Sequence, residues 1–281
     1  RDSESANLPG KSINKAKDLV KDDNLTQYSR SELAVSIGTK EMRSGAVRHA
    51  KRFMRQGLID PTENALAQAE WMAAQLGTNI SHFVQLGEKV PASFEARARH
   101  FFYKENFEDS LNSAERWCTY QPLSSIPFIF SSYIASVCLD NDKEAVQILN
   151  SALPLYRNNP TFMNNYICSL AKTGDVGTAI ETFQKLNLGD LSNDETFTFM
   201  ATQGLLHFRT NNAEKGRELY LKAIMGFDRI NAQRSAAIAT YYWALEEKLI
   251  LSSYKEARIK DAKSRMERFN VFELDKSIKK L

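Results

Sequence analysis

The feature that most constrains the fold of this chain is a helix-turn-helix pattern that recurs about every 34 residues. Each copy carries a small residue near the start of its second helix. These residues are Ser110, Ala145, Ala179 and Gly216, and they are separated by 35, 34 and 37 residues. A fixed period with one helical hairpin in each copy is typical of stacked repeats. The sequence therefore predicts an array of hairpins, in which no hairpin buries its apolar face alone.

The composition favours an all-α fold. The 281 residues are 43% hydrophobic and 25% charged, as expected for a globular chain. There are only 12 glycines and 7 prolines, and the alternating apolar pattern of half-buried strands is scarce. We therefore predict helices throughout.

At individual positions, four units between residues 91 and 227 resemble the tetratricopeptide repeat (TPR) family. That family alternates small residues, where its two helices meet, with large residues that fill the gap to the next repeat. The matching residues are Phe94, Ala98, Phe101, Ser110, Trp117 and Pro122 in the first unit, Met163, Tyr166, Leu170, Gly174, Ala179, Phe183 and Leu186 in the third, and Met200, Gly204, Gly216, Tyr220 and Ala223 in the fourth. The resemblance implies a right-handed α-solenoid, a TPR-like superhelix.

Turn chemistry agrees with this pattern. Gly174 and Asn211 stand where the first helix of a hairpin would end, and both residue types favour that position. Asp175 and Asn212 follow them, where a side-chain oxygen would cap the second helix.

We predict two parts of the chain. Residues 1–28 are expected to be a linker or loosely ordered segment that contains one helix, and residues 29–281 a TPR-like helical repeat domain. Within the domain, residues 43–76 read as a divergent hairpin, residues 91–227 as the clearer repeats, and residues 229–281 as a C-terminal hairpin and cap.

The resemblance also implies a binding surface, because the first helix of each repeat lines the concave side of such an array. Carried over to this chain, the groove residues are Glu95, Arg99, Phe102 and Tyr103 in the first unit, Asn164, Cys168 and Lys172 in the third, and Ala201, Leu205, Phe208 and Arg209 in the fourth. The cations and Asn164 suit a peptide backbone or carboxylate, and the aromatic rings suit apolar side chains.

No arrangement of residues indicates catalysis, a cofactor or a metal. The segment at 8–12, LPGKS, lacks the first glycine and the preceding strand of a phosphate-binding loop. The acids at 140–144 lack the glycine and the final glutamate of a calcium loop. The four histidines are not paired at ligand spacing, and the adjacent Glu246 and Glu247 point to different helix faces. We therefore predict a protein that is not an enzyme.

Charge and cysteines bear on compartment. The net charge of +3 is too small to argue for nucleic acid or an acidic membrane by itself. Cys118, Cys138 and Cys168 form no Cys-x-x-Cys pair, which suits reduced thiols in the cytoplasm. No apolar run is long enough for a membrane span, so no membrane partner is expected.

One local charge feature stands out. Arg48, Arg52 and Arg55 recur at spacings that place them on one helix face, opposite Ala50 and Met54. This possible basic patch is either an ordinary solvated surface or a contact for an acidic partner or nucleic acid.

Three hypotheses follow. The leading one is a noncatalytic protein–protein interaction scaffold that binds a partner segment in its concave groove. The alternative is a C-terminal sensor or regulatory domain of a larger enzyme or effector, whose catalytic domain lies upstream of Arg1. The weaker alternative is nucleic-acid binding through the basic helix at 43–55. The sequence leaves the partner, the biological process and the oligomeric state open.

Overall fold

The computed structural model describes residues 10–22, 24–275 and 277–281. Residues 1–9 and 23 of the expected N-terminal linker therefore lie outside the described part. All regular elements in the described residues are helical and none is a strand, which confirms the all-α prediction. The chain divides into two compact units, unit 1 (Arg1–Tyr120) and unit 2 (Gln121–Leu281).

Seven helices build the described part of unit 1. They are α1 (Gly10–Leu19), α2 (Gln27–Arg43), α3 (Val47–Gly57), α4 (Glu63–Gln75), α5 (Phe83–Lys89), α6 (Phe94–Tyr103) and α7 (Phe107–Tyr120). Helix α2 pairs with α3, α6 pairs with α7, and α4 packs against both α2 and α6. Thr62 caps α4 by accepting a hydrogen bond from the Ala65 amide at 3.0 Å.

The hairpin partner of α3 differs from the sequence-based expectation. Residues 43–76 were expected to fold back on themselves, but α3 packs mainly on α2 and only lightly on α4. The reason is the close approach of α2 and α3, where a Cβ added at Gly57 would lie 2.6 Å from Val35. Ala34 and Ile37 of α2 are buried together with Phe53 of α3.

The small residues of the predicted pattern meet in unit 1. The Ser110 hydroxyl, at the start of α7, donates a 2.7 Å hydrogen bond to the carbonyl of Ala98 in α6. Trp117, two turns further along α7, is almost completely buried. Small residues thus set the distance between the two helices, and the large residue fills the space beside them.

Unit 2 consists of successive hairpins, α8 with α9, α10 with α11, α12 with α13, and α14 with α15. Their bounds are α8 (Ser125–Tyr133), α9 (Asp142–Tyr156), α10 (Pro160–Thr173), α11 (Val176–Gln184), α12 (Asn193–Arg209), α13 (Ala213–Arg229), α14 (Gln233–Leu249) and α15 (Lys255–Phe269). A π-helical turn, Ile134–Cys138, continues α8. Two 3₁₀ turns, Phe272–Leu274 and Ile278–Lys280, follow α15.

The turns between paired helices keep the spacing seen in the sequence. Each hairpin turn of the four clearer units contains a residue with positive φ, and these residues, Glu105, Asp140, Gly174 and Asn211, are separated by 35, 34 and 37 residues. The predicted turn chemistry is confirmed where it was most specific. Gly174 ends α10 in the left-handed conformation, and the next residue caps α11 with a hydrogen bond of 3.3 Å.

The C-terminal hairpin of unit 2 packs against the π-helical turn at the end of α8. Val137 of the π-helical turn shares a buried cluster with Ala237 and Tyr241 of α14 and with Val271 and Leu274 beyond α15. Within the same unit, α10 also packs against α8, and α12 packs against α14.

Candidate functional site

A cavity of about 200 Å³ lies inside unit 2, between the end of α8, α10, α12 and α14. Four of the predicted groove residues line it, namely Asn164 and Cys168 from α10 and Ala201 and Leu205 from α12. Residues from the predicted faces of these two helices therefore line the same cavity.

The remaining walls are aromatic, aliphatic or hydroxylic. Tyr133 and Tyr242 close two sides, Tyr220 and Phe227 reach in from α13, and Ile238 adds an aliphatic side chain from α14. Among the described residues, none that lines the cavity carries a formal charge. The site suits an uncharged group, because a charge buried without a partner is costly.

Two asparagines hold the α10 wall in place. Asn164 accepts a 2.7 Å hydrogen bond from the Thr202 hydroxyl of α12. Asn165 donates to the Ser132 hydroxyl of α8 at 3.3 Å and to the Ile129 carbonyl at 3.4 Å. These bonds tie α10 to both neighbouring helices beside the cavity.

The π-helical turn supplies an irregular part of the wall. In this turn a backbone hydrogen bond spans five residues instead of four, from the Leu139 amide to the Ile134 carbonyl at 3.0 Å. Ser136 and Val137 from this turn line the cavity. Single π-helical turns inside α-helices are rare and occur frequently at functional sites.

Lys172, one of the predicted groove cations, is held by an internal network. Its ammonium group lies 2.8 Å from the Asp142 carboxylate and 3.0 Å from the Ser136 hydroxyl, which itself donates to Asp142 at 2.6 Å. The same ammonium group lies 4.9 Å from the centre of the Tyr242 ring. Lys172 therefore links α9, α10 and α14 beside the cavity.

Arg209, the second groove cation of unit 2, is also paired internally. It donates to Glu246 of α14 at 2.8 Å. Burial raises the pKa of Glu246, and the guanidinium of Arg209 partly offsets that rise. The neighbouring Glu247 binds Arg217 of α13 instead, at 2.7 Å, so the two glutamates serve different helices as expected.

Phe208, the remaining groove residue of unit 2, is buried between α12 and α13 beside Tyr220, with ring centres 6.0 Å apart. Phe208 has an intramolecular partner and does not line the cavity.

The predicted groove residues of unit 1 are packed as well. Arg99 pairs with Glu95 at 2.8 Å and lies 5.7 Å from the Trp117 ring centre. Phe102 is buried and Tyr103 packs edge-on against it. These four groove side chains have intramolecular partners, and none lines the cavity.

The basic patch of unit 1 is solvent-exposed. Arg48, Arg52 and Arg55 all project from α3, and none forms an ion pair within the described part of the chain. Val47 and Ile59, at the two ends of this surface, are exposed apolar side chains.

Sequence reasoning missed the α8 and α14 walls. Ser136 lies in a divergent hairpin, and Tyr242 lies beyond the clear repeats, so the carried-over pattern reached neither. One signal was present, because the segment YIAS at 133–136 repeats as YICS at 166–169. The serines that end these two similar segments, Ser136 and Ser169, both line the cavity.

Cys168 provides a measurable property of the site. It is half-buried, and burial is the main reason why the pKa of its thiol is raised to about 11. The reactive form is the thiolate. We expect Cys168 to alkylate about 100-fold more slowly at pH 8 than a cysteine with the ordinary pKa of 9.0, with a rate that rises tenfold per pH unit. Peptide-resolved mass spectrometry after iodoacetamide pulses measures this rate, and labelling as fast as in a short unstructured peptide would contradict the assignment.

No group of three or more histidine, cysteine or acidic side chains within the described residues is arranged to hold a metal ion. Their helices include none with the combination of length and apolar character that crossing a bilayer requires.

Comparison with known proteins adds no assignment. No protein-family model matches the chain, and no curated protein matches it significantly.

Proposed function

We propose that the chain is a noncatalytic protein-interaction module, whose TPR-like hairpins stack as a right-handed α-solenoid and whose cavity in unit 2 receives an uncharged group from a partner segment. The observation that supports this proposal best is the convergence of Asn164, Cys168, Ala201 and Leu205 on one cavity. Stacked hairpins use the inner faces of their first helices in this way.

The size of the cavity suits one anchoring group. An engineered cavity of about 150 Å³ in another protein binds benzene. The cavity of about 200 Å³ in unit 2 thus has room for one ring or one side chain, but not for a length of peptide. Anchors of this kind, held in a desolvated pocket, carry much of the binding energy in protein interfaces.

The internal ion pairs favour an anchor over a carboxylate clamp. Lys172 and Arg209 already have the carboxylates of Asp142 and Glu246 as partners. A ligand carboxylate would have to displace them and leave a buried acid unpaired, which is unfavourable. We therefore assign recognition to the neutral cavity and not to these cations.

The proposal is tested by affinity capture from native lysate. Ala201→Phe should fill the cavity and reduce recovery of a specific protein at least tenfold, with Ser235→Leu as a second filling variant on α14. Leu221→Phe, at an exposed position of α13, is the matched control. Circular dichroism verifies folding, and recovery that is equal for filled and control variants would rule out the cavity as the anchor site.

The exposed basic patch supports a second candidate, nucleic-acid binding. Three arginines that neutralise three phosphates of a duplex would make the logarithm of the association constant fall with the logarithm of salt with a slope of about −2.7. The triple variant Arg48→Gln/Arg52→Gln/Arg55→Gln should abolish this dependence in a fluorescence-anisotropy titration. Binding that is absent, or insensitive to salt, would exclude this candidate.

A further inference from the structure

The two asparagines beside the cavity have hydrogen-bonding capacity to spare. The side-chain oxygen of Asn164 accepts a hydrogen bond from the Thr202 hydroxyl, but its side-chain amide nitrogen donates to no described residue. The side-chain nitrogen of Asn165 donates to Ser132 and Ile129, but its side-chain oxygen accepts from no described residue. The α10 wall thus offers one donor and one acceptor, on consecutive residues that line the same cavity.

The other walls define what can lie against this pair. Four aromatic side chains, Tyr133, Tyr220, Phe227 and Tyr242, line the other sides, and aromatic side chains pack well against a planar ligand. The lining residues carry no charge to balance an ionised ligand. A purely apolar ligand would leave the donor of Asn164 and the acceptor of Asn165 without partners after water is displaced.

We infer that the cavity recognises a neutral, planar group with an amide edge, that is, an N–H donor and a carbonyl acceptor beside an apolar face. This inference rests on the proposed role of the cavity as a binding site, and it adds the chemistry of the ligand. The group belongs either to a side chain of a partner protein or to a small molecule, since both present the same edge.

Four probes of nearly equal size separate the chemical alternatives. Benzamide carries the amide edge, benzoate and benzamidine replace it with a negative or a positive charge, and toluene has neither. Titration of the full chain, followed by calorimetry or ligand-observed NMR, should show benzamide binding at least tenfold tighter than each of the others. Equal binding of toluene, or tighter binding of a charged probe, would overturn the inference.

Two variants locate the interaction. Asn164→Asp keeps the oxygen that accepts from Thr202 but replaces the amide donor, so benzamide should bind at least tenfold more weakly. Ala201→Phe should remove benzamide binding, and the exposed Leu221→Phe should leave it unchanged. Benzamide binding that survives in both cavity variants, with circular dichroism unchanged, would place the site elsewhere and contradict the inference.

Competition distinguishes the two sources of the amide group, and it separates this inference from the proposed function. If a partner side chain is the source, excess benzamide should displace the captured partner. If a small molecule is the source, native mass spectrometry should show it on the purified wild-type chain and not on Ala201→Phe, even where no partner is captured. Partner capture through the cavity without any benzamide binding would support the proposed function and overturn the ligand chemistry.

Discussion

Replacing Glu247 by alanine is expected to lower the free energy of unfolding by about 3–5 kcal/mol, as the loss of one partner from a buried ion pair does. The Glu247 side chain is fully buried and accepts hydrogen bonds from Nε and Nη2 of Arg217, at 2.7 and 2.9 Å. It also accepts from the indole of Trp243 at 2.9 Å and from the Ser252 hydroxyl. One carboxylate thus joins α13, α14 and the turn before α15.

Chemical denaturation of the variant and wild type measures the difference. Glu256→Ala is the control, because that side chain is exposed and should change stability by less than about 0.5 kcal/mol. An equal effect of the two substitutions would contradict the assigned role of Glu247.

The same site has a pH signature. Burial alone raises the pKa of Glu247, but hydrogen bonds from Arg217, Ser252 and Trp243 outweigh it and leave the pKa below the ordinary 4.5. Stabilisation by this carboxylate is therefore complete above that ordinary pKa and is lost as the pH falls through the lower, folded-state pKa. The stability difference between wild type and Glu247→Ala should shrink in acid.

Gly216→Ala should destabilise the protein by about 1–3 kcal/mol, as an added methyl group does in a tightly packed contact. A Cβ at this position would lie 2.5 Å from the Phe208 ring and 3.0 Å from the carbonyl oxygen of Gly204. To make room for the added methyl group, the backbone of α12 would have to move away from α13. This is the close approach that the small residues of the repeat pattern are expected to permit.

Gly177→Ala is the matched control for that substitution. Gly177 also lies in a helix, but a Cβ there would meet no atom within 4 Å. Alanine should leave stability unchanged or raise it by up to about 1 kcal/mol, because glycine is the poorer helix former. Thermal unfolding followed by circular dichroism compares the two, and a similar loss in both would show that helix packing at Gly216 is not the cause.

The hairpin turns were predictable because their geometry selects particular residues. Gly174 and Asn211 tolerate positive φ, and their position along the chain was therefore visible in the sequence. Helix α2 was not assigned from the sequence because its buried face mixes apolar residues with small or polar ones, among them Ser31, Gly38 and Glu41. A face of this kind gives little apolar periodicity, although it allows α3 to pack closely.

The candidate site was predictable only in part. The placement of Asn164, Cys168, Ala201 and Leu205 on one surface was expected from the resemblance to the TPR pattern, and all four line the cavity. The pairing of Lys172 and Arg209 was not expected, because Asp142 and Glu246 are 30 and 37 residues away and reach them only through packing. Sequence assigned these cations to a ligand, whereas tertiary structure gives each an internal acid.

The most direct test of the binding site is a methyl NMR titration of the full chain with the partner recovered by capture. The proposed function predicts that shifts concentrate at the methyl groups that line the cavity, those of Val137, Ala201, Leu205, Ile238 and Ala239. Shifts confined to Val47 and Ile59 beside the basic patch, or to the exposed Leu221 and Met225 of α13, would show that the partner binds elsewhere and would contradict the proposed role of the cavity.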